Sequence, residues 1–160
     1  MRSEKLLSRS ALLDLRARCR REGRVVVFTN GCFDLLHRGH VEYLQEARAL
    51  GDLLAVGLND DDGVRRLKGE GRPLVPQEDR AALLCALADV DAVTLFSGTS
   101  VEPLVAELLP DVLVKGGDYA LDEVVGRRVV EQAGGRVRVL RHVPGRSTRD
   151  LLSRSAAVPR

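Results

Sequence analysis

Two histidines lie three residues apart, just after the first apolar run of the sequence. His37 and His40 flank Gly39 in the pattern His-x-Gly-His, and imidazoles can donate hydrogen bonds to phosphate oxygens. Gly39 lets the backbone approach a phosphate. A helix that begins here directs unpaired N–H groups and the positive end of its dipole toward an anion. The spacing predicts a triphosphate site in which His37 and His40 are catalytic.

Lysine is rare in this chain, which has 22 arginines and three lysines. Lys68 lies in a stretch that also contains Gly69 and Gly71, and Lys115 directly precedes two glycines. A compact ammonium binds a phosphate differently from a planar guanidinium, so the lysines retained in these loops are candidate phosphate contacts. Lys5, near the terminus, is expected to be a surface residue.

A further candidate phosphate site lies near the end of the sequence. Ser147 can cap a helix that begins there, and Asp150 completes a pair that resembles a capping box. The first N–H groups of that helix, with Ser147 and Thr148, could hold the β- and γ-phosphates of a nucleotide.

Five apolar runs alternate with amphipathic segments. The predicted strands are 25–29, 53–58, 92–96, 111–114 and 137–140, and the predicted helices are 10–22, 39–50, one from Gln77, 101–109, 121–133 and 148–153. The polar, Gly-rich stretch 59–76 is expected to be irregular. Parallel strands need crossover helices, so we predict an α/β fold with one doubly wound, mainly parallel, five-stranded Rossmann-like sheet and helices on both faces.

Ligands of such sheets bind at the carboxyl ends of the strands. The loops after Thr29, Leu58, Phe96, Val114 and Leu140 are therefore expected to surround one crevice. We divide the chain into an N-terminal helical extension (1–24), the main domain (25–153) and a C-terminal tail (154–160).

Composition limits the classes of function. Hydrophobic residues make up 44% and charged residues 30% of the 160 residues, and the net charge is only +2. The charge does not favour a nucleic-acid partner, and no apolar run is long enough to span a membrane. Three widely spaced cysteines favour neither a disulfide framework nor a zinc site. We expect a soluble protein of the reducing cytoplasm that binds a small anion.

The chain resembles the His-x-Gly-His nucleotidyltransferase superfamily. Within it, the sequence is most similar to D-glycero-β-D-manno-heptose 1-phosphate adenylyltransferases. Four segments carry this resemblance: Thr29–Asp34, Arg66–Gly69, Arg72-Pro73 and Val114–Tyr119. It implies transfer of AMP from ATP to a heptose 1-phosphate, giving ADP-heptose and pyrophosphate.

The resemblance also implies roles for individual residues. It places Lys68 in a mobile loop as a third catalytic residue, and it brings Arg80 close to the nucleotide. The other expected nucleotide contacts are Thr29, Asn30, Gly31, Cys32, Phe33, Gly39, Lys115, Gly116, Ser147 and Thr148. The expected substrate contacts are Asp34, Arg72, Gly117 and Asp118. For Asp34, capping of its own turn is an alternative.

Magnesium is expected to enter with the nucleotide phosphates, because these loops offer no dense set of carboxylates. Relatives pair through this domain, so we expect a homodimer. They often carry a sugar kinase domain ahead of it, whereas here only a short N-terminal extension precedes the domain. We therefore expect a separate heptose kinase. Two alternatives stay open: a CTP-dependent cytidylyltransferase acting on an alcohol phosphate such as glycerol 3-phosphate, and a nucleotide-binding regulator. Arg149 stands where relatives carry a hydroxyl, which is a departure from the family pattern.

Overall fold

A computed structural model describes residues 3–117 and 120–140 of the chain. Five strands alternate with helices along the sequence. The strands are β1 (Val26–Gly31), β2 (Leu53–Asn59), β3 (Ala92–Phe96), β4 (Val112–Gly116) and β5 (Arg136–Leu140). The helices are α1 (Arg9–Arg21), α2 (Arg38–Arg48), α3 (Asp61–Lys68), α4 (Gln77–Ala86), α5 (Glu102–Leu108) and α6 (Arg127–Gln132), with a 3₁₀ turn at Leu121–Glu123.

The five strands form one parallel sheet in the order β3-β2-β1-β4-β5. Val27 of β1 is paired with Leu54 of β2 on one side and with Val112 of β4 on the other. The strand order therefore reverses at β1, and the carboxyl ends of β1 and β4 flank the point where ligands bind in such sheets. The predicted doubly wound α/β fold is confirmed.

Helices cover both faces of the sheet, because each strand buries side chains on both sides. Val26 and Phe28 of β1 pack in a cluster with residues of α1 and α5, whereas Val27 packs in a second cluster with residues of α2 and α4. The near-continuous apolar character of the strands follows from this burial on two faces.

The first helix is packed against the sheet. Leu12 and Cys19 of α1 are 1% and 0% exposed and belong to the same cluster as Phe28. Ahead of α1, Leu6 forms a parallel bridge with Val93 of the edge strand β3. The division of the chain into domains stays a prediction, but in the structure the segment set apart as an extension contributes to the core.

The expectation that 59–76 is irregular was wrong, since α3 occupies 61–68. Asp60 caps this helix by accepting the Gly63 N–H at 2.7 Å. Gly63 is required by packing, because a Cβ there would lie 2.5 Å from the carbonyl oxygen of Gly98. Lys68 is thus the last residue of a helix and does not belong to the loop in which we expected it.

The predicted helix 121–133 is interrupted. Gly126 has a φ of 86°, and a Cβ on it would lie 2.8 Å from Val105. The chain therefore forms a 3₁₀ turn, reverses at Gly126, and begins α6 only at Arg127. The predicted helix 148–153 lies outside the described residues.

Within 3–117 and 120–140, no helix combines the length and the apolar character that crossing a membrane requires.

Candidate active site

A cleft of about 480 Å³ lies at the edge of the sheet where the strands end, which we call the carboxyl edge. Segments that follow β1, β2, β3 and β4 all contribute to it. Its lining residues are Asn30, Gly31, Cys32, Phe33, Asp34, His40, Tyr43, Asn59, Leu67, Lys68, Thr99, Ser100, Val101, Lys115, Gly116, Glu123, Val124 and Val125. The predicted crevice is therefore present for the loops after the first four strands, whereas the loop after Leu140 lies outside the described residues.

The two histidines lie at the start of α2. His37 is the N-cap, and its Nδ1 accepts the Gly39 N–H at 3.1 Å. The backbone N–H of His40 donates to the backbone carbonyl oxygen of His37 at 2.9 Å. The imidazole rings lie 3.9 Å apart between centroids and are inclined by 32°. The bond to Gly39 requires His37 Nδ1 to be unprotonated, so the proton of this ring is on Nε2. His40, in the third position of the helix, lines the cleft.

Phe33 holds an unusual backbone conformation beside His40. Its φ is 46°, in the left-handed region that residues other than glycine rarely adopt. The ring lies 5.4 Å from that of His40, and a Cβ on Gly31 would come within 3.0 Å of it. Such conformations persist where the surroundings enforce them, and they are concentrated at functional sites.

Two ammonium groups reach the cleft, one from the end of a helix and the other from a strand. Lys68 is exposed at the end of α3, and Lys115 lies near the end of β4. Burial lowers the pKa of Lys115 from its usual 10.5, and the charge interaction with Cys32 opposes this shift. An anion bound in the cleft would favour the charged form of Lys115.

Tyr43 forms part of the cleft wall below the histidines. Its hydroxyl and the Thr29 hydroxyl lie 2.6 Å apart, and burial raises the pKa of the Tyr43 hydroxyl above its usual value. The ring packs on Gly116, where a Cβ would lie 2.9 Å from it. Thr29 is fully buried in β1, so its hydroxyl is a fixed hydrogen-bond partner that positions the Tyr43 hydroxyl.

Asp34 holds the loop that follows α3. Its Oδ1 accepts the N–H groups of Leu74 and Val75 at 2.7 and 3.0 Å, and its Oδ2 is ion-paired with Arg72. The Asp34 side chain is 0% exposed and that of Arg72 is 15% exposed. Both groups were expected to bind substrate, whereas in the structure they are engaged with each other and with the loop.

Arg80 is fully buried beneath the cleft. Its guanidinium donates to the carbonyl oxygens of Val75 (2.9 Å), Cys32 (2.6 Å) and Asn59 (2.9 Å), and to Asp61 Oδ1 at 2.7 Å. This placement differs from the expected approach of Arg80 to the nucleotide, because Arg80 is not among the residues that line the cleft.

A family model described as cytidylyltransferase-like matches residues 28–150. The chain belongs to the cytidylyltransferase-like family. This membership confirms the expected nucleotidyltransferase class. His37 and His40 lie within the matched region, between its first strand and the end of the first turn of α2.

Curated relatives of this cytidylyltransferase-like chain include two proteins named bifunctional protein HldE. That of Geobacter sulfurreducens is 58% identical over 133 residues, which are 83% of this chain and 27% of the relative. That of Syntrophotalea carbinolica is 52% identical over 150 residues, which are 94% of this chain and 31% of the relative. The chain thus spans less than a third of the length of these relatives.

Solved structures share the fold. The lipopolysaccharide core biosynthesis protein from Thermoplasma volcanium is 31% identical with a TM-score of 0.63, and the match covers 76% of this chain and 98% of that one. A pantoate-beta-alanine ligase from Francisella tularensis, 13% identical with a TM-score of 0.61, covers 89% of this chain and 68% of that one. The second likeness concerns the fold alone.

Of the fifteen predicted site residues that the structure describes, nine line the cleft. The predicted residues that line it are Asn30, Gly31, Cys32, Phe33, Asp34, His40, Lys68, Lys115 and Gly116. Those placed beside or beneath it are Thr29, His37, Gly39, Arg72, Arg80 and Gly117, whose N–H donates to the carbonyl oxygen of Leu140. Asp118, Ser147 and Thr148 lie outside the described residues. The binding roles of all of these residues stay predictions.

Sequence reasoning missed half of the cleft wall. The unpredicted lining residues are Tyr43, Asn59, Leu67, Thr99, Ser100, Val101, Glu123, Val124 and Val125. For two of these residues, the sequence contained a signal that could have identified them. Tyr43 is three residues after His40 and therefore on the same face of α2, and Asn59 is the last residue of a strand whose end was expected at the crevice.

Proposed function

We propose that the chain transfers AMP from ATP to a heptose 1-phosphate, releasing pyrophosphate and forming ADP-heptose. The observation that carries this proposal is the cleft itself, which is lined by His40, Lys68 and Lys115 and lies at the edge of the sheet where the strand order reverses. The four sequence segments similar to heptose 1-phosphate adenylyltransferases support the acceptor. So does a solved relative that is titled a lipopolysaccharide core biosynthesis protein.

The chemistry needs little acid–base help. The second pKa of a phosphate monoester is about 6, so the acceptor is largely dianionic near neutrality. One acceptor oxygen attacks the α-phosphorus of ATP, the bond from that phosphorus to the bridging oxygen breaks, and pyrophosphate leaves. Rate enhancement then comes from alignment of the two phosphates and from donors aimed at the developing charge.

His40 and Lys68 are proposed to act at different parts of the nucleotide. His40 lies in the first turn of α2, where its side chain and the neighbouring N–H groups favour negative charge on the α-phosphate. Lys68 is proposed to neutralise the departing pyrophosphate. The N-terminus of the predicted helix at Ser147 would hold the β- and γ-phosphates.

Magnesium is proposed to arrive on the triphosphate. Mg²⁺ usually keeps several waters and binds through substrate phosphates. In the described part of the chain, no three His, Cys, Asp or Glu side chains are grouped as metal ligands. The proposed metal would therefore be bound by phosphate oxygens and water, and it would screen the charge between acceptor and donor.

The competing function is a cytidylyltransferase that acts on an alcohol phosphate. It is less supported, because the curated relatives that match more than four fifths of this chain are named HldE. The test is release of pyrophosphate from the purified chain with Mg²⁺, using ATP or CTP as donor and a heptose 1-phosphate or glycerol 3-phosphate as acceptor. We expect release with ATP and the heptose phosphate only. Turnover with CTP and glycerol phosphate, and none with ATP, would establish the competitor, whereas binding without any release would indicate a regulator.

We also propose that the chain acts as a homodimer in the cytoplasm and that a kinase supplies its heptose 1-phosphate. Resemblance to relatives supports the dimer, and three free thiols, at Cys19, Cys32 and Cys85, support a reducing compartment. Light scattering across a concentration series tests the dimer. A monomeric mass throughout would reject it.

A further inference from the structure

The segment that carries Lys68 is held at two places, one on each side of this residue. Ahead of it, at the start of α3, the Asp61 carboxylate accepts a hydrogen bond from Arg80, and the backbone N–H of Asp61 donates to Gln77 Oε1 at 3.0 Å. After it, Val75 is held through both of its backbone polar groups. The N–H of Val75 donates to Asp34, and its carbonyl oxygen accepts from Arg80 Nε.

Arg80 is common to both attachments. The same guanidinium also donates to the carbonyl oxygens of Cys32, in the loop after β1, and of Asn59, at the end of β2. One side chain on α4 therefore joins the loop of the predicted nucleotide site, the end of the neighbouring strand, and both ends of the segment 61–75. Between these attachments, Gly69 and Gly71 have φ values of 91° and 79° and impose no side-chain contacts of their own.

The chemistry of Arg80 suits a role in positioning. The guanidinium is a planar group with five donors in fixed directions, and a lysine ammonium cannot reproduce this pattern. It is 0% exposed, and its single described carboxylate partner, Asp61, is 32% exposed. For stability alone, an apolar side chain of similar volume often serves as well as a buried charge.

We propose that Arg80 is a positioning residue that fixes Lys68 in the cleft through α3 and through Val75. This inference rests on the proposed function, in which Lys68 neutralises the departing pyrophosphate. Arg80 itself contacts neither nucleotide nor acceptor. Its loss leaves Lys68 present but displaced, and a misplacement of about 1 Å can cost about a hundredfold in rate.

A double-mutant cycle tests this coupling. Arg80→Lys keeps the positive charge but loses the planar group with five donors in fixed directions. Lys68→Ala removes the group that Arg80 is proposed to position. We expect Arg80→Lys to lower turnover by about a hundredfold, and the double variant to lose much less than the product of the two single losses. Losses that multiply in the double variant would show that Arg80 acts independently of Lys68 and would overturn the proposal. Unchanged turnover in folded Arg80→Lys would overturn it as well.

Arg16 provides the matched control. It is also a buried arginine on a helix that binds backbone carbonyls and an aspartate, but at the opposite edge of the sheet. Arg16→Lys should lower the melting temperature while turnover of the folded protein stays near wild type, with or without Lys68→Ala. A loss of turnover in Arg16→Lys equal to that in Arg80→Lys would indicate a general effect of damaged packing and would contradict the proposal.

Hydrogen exchange gives a readout that does not depend on activity. Arg80→Lys should speed exchange at the Leu74 and Val75 amides and through α3, while exchange in β1 and β4 stays slow. If Arg80→Lys does not fold, Asp61→Asn takes its place and should produce a smaller change at the same amides. Wild-type exchange in a folded variant would refute the positioning. Failure of the wild-type chain to release pyrophosphate would count against the proposed function and leave this exchange result to stand alone.

Discussion

The two edges of the sheet both carry charged side chains, but these side chains make different contacts. At the amino edge, where the strands begin, Asp52, Asp91 and Asp111 each directly precede a strand. Each accepts a backbone N–H from the neighbouring strand or from the residue just before that strand. The acceptor distances are 2.7 Å to Val25, 2.8 Å to Leu54 and 2.8 Å to Val26. At the carboxyl edge, where the strands end, Lys68, Lys115 and His40 line the cleft.

Each edge also has one buried arginine. Arg16 donates to Asp111 through both terminal nitrogens at 2.9 Å and to the Leu109 carbonyl at 2.8 Å. Arg80 makes contacts of the same kind beneath the cleft. At the amino edge the hydrogen bonds join one protein group to another, whereas at the carboxyl edge they position donors that face the cleft. The comparison predicts that changes at the amino edge affect folding and changes at the carboxyl edge affect turnover.

The largest expected effect is that of His40→Ala. Loss of one preorganised donor to transition-state charge costs about 2.7–4 kcal/mol, or about a hundredfold to a thousandfold in turnover. ATP affinity should fall far less, because the other donors still hold the triphosphate. Steady-state kinetics, ATP titration and thermal melting on this variant check the prediction. A lowered melting temperature with turnover near wild type would make His40 a structural residue.

Arg16→Ala should have an effect of comparable size on folding. Breaking a buried ion pair by removing one partner costs about 3–5 kcal/mol, and the lower end applies because the Asp111 side chain is 38% exposed. Urea unfolding measures this loss, and turnover at a temperature where the variant is folded should match wild type. Arg9→Ala is the control. Its pair with Glu107 is exposed by 47% and 51%, so we expect a change below about 1 kcal/mol.

Two glycine substitutions separate the edges further. A Cβ on Gly116 would lie 2.9 Å from the Tyr43 ring, and a Cβ on Gly51, at the amino edge, would lie 2.7 Å from Val27. Overpacking of this kind typically costs about 1–3 kcal/mol, so both alanine variants should lose stability. Only Gly116→Ala should also weaken ATP binding, because Tyr43 lines the cleft. Equal ATP affinities in the two variants would remove the distinction between the edges.

The smallest effect is expected for Tyr43→Phe, which removes the hydroxyl bonded to Thr29. A hydrogen bond of this type contributes about 1 kcal/mol. Burial raises the pKa of Tyr43 above its usual 10.0 in the folded state. Its stabilising contribution is therefore complete below pH 10 and decreases above it, where only the unfolded chain ionises. The difference in unfolding free energy between wild type and Tyr43→Phe should be smaller at pH 10.5 than at pH 8. A constant difference would contradict this origin.

The sequence predicted the elements that depend on local pattern. The apolar runs marked all five strands, and Gly39 was expected at the start of the helix that begins at Arg38 in the structure. Errors arose where a distant contact decides the structure. Gly63 permits α3 because the Gly98 carbonyl lies against it, and Gly126 breaks the predicted helix 121–133 at a close approach to Val105.

Contacts between residues far apart in the sequence also limited the prediction of the site. Arg80 looks like a surface residue of a helix start, and its carbonyl partner at Cys32 lies 48 positions away in the sequence. Asp34 likewise binds backbone groups 40 and 41 residues further on. Residue type and spacing identified the groups that can do chemistry, but they did not distinguish a group that contacts the ligand from one that positions it.

The measurement that tests this account most directly is a map of backbone amide shifts on addition of Mg²⁺ and a non-hydrolysable ATP analogue. We expect changes at the carboxyl edge, in 30–43, 59–68, 99–101 and 115–116, whereas the amides that follow Asp52, Asp91 and Asp111 should be unaffected. Changes concentrated at the amino edge or along α1, with none around His40, would contradict the assignment of the cleft as the nucleotide site.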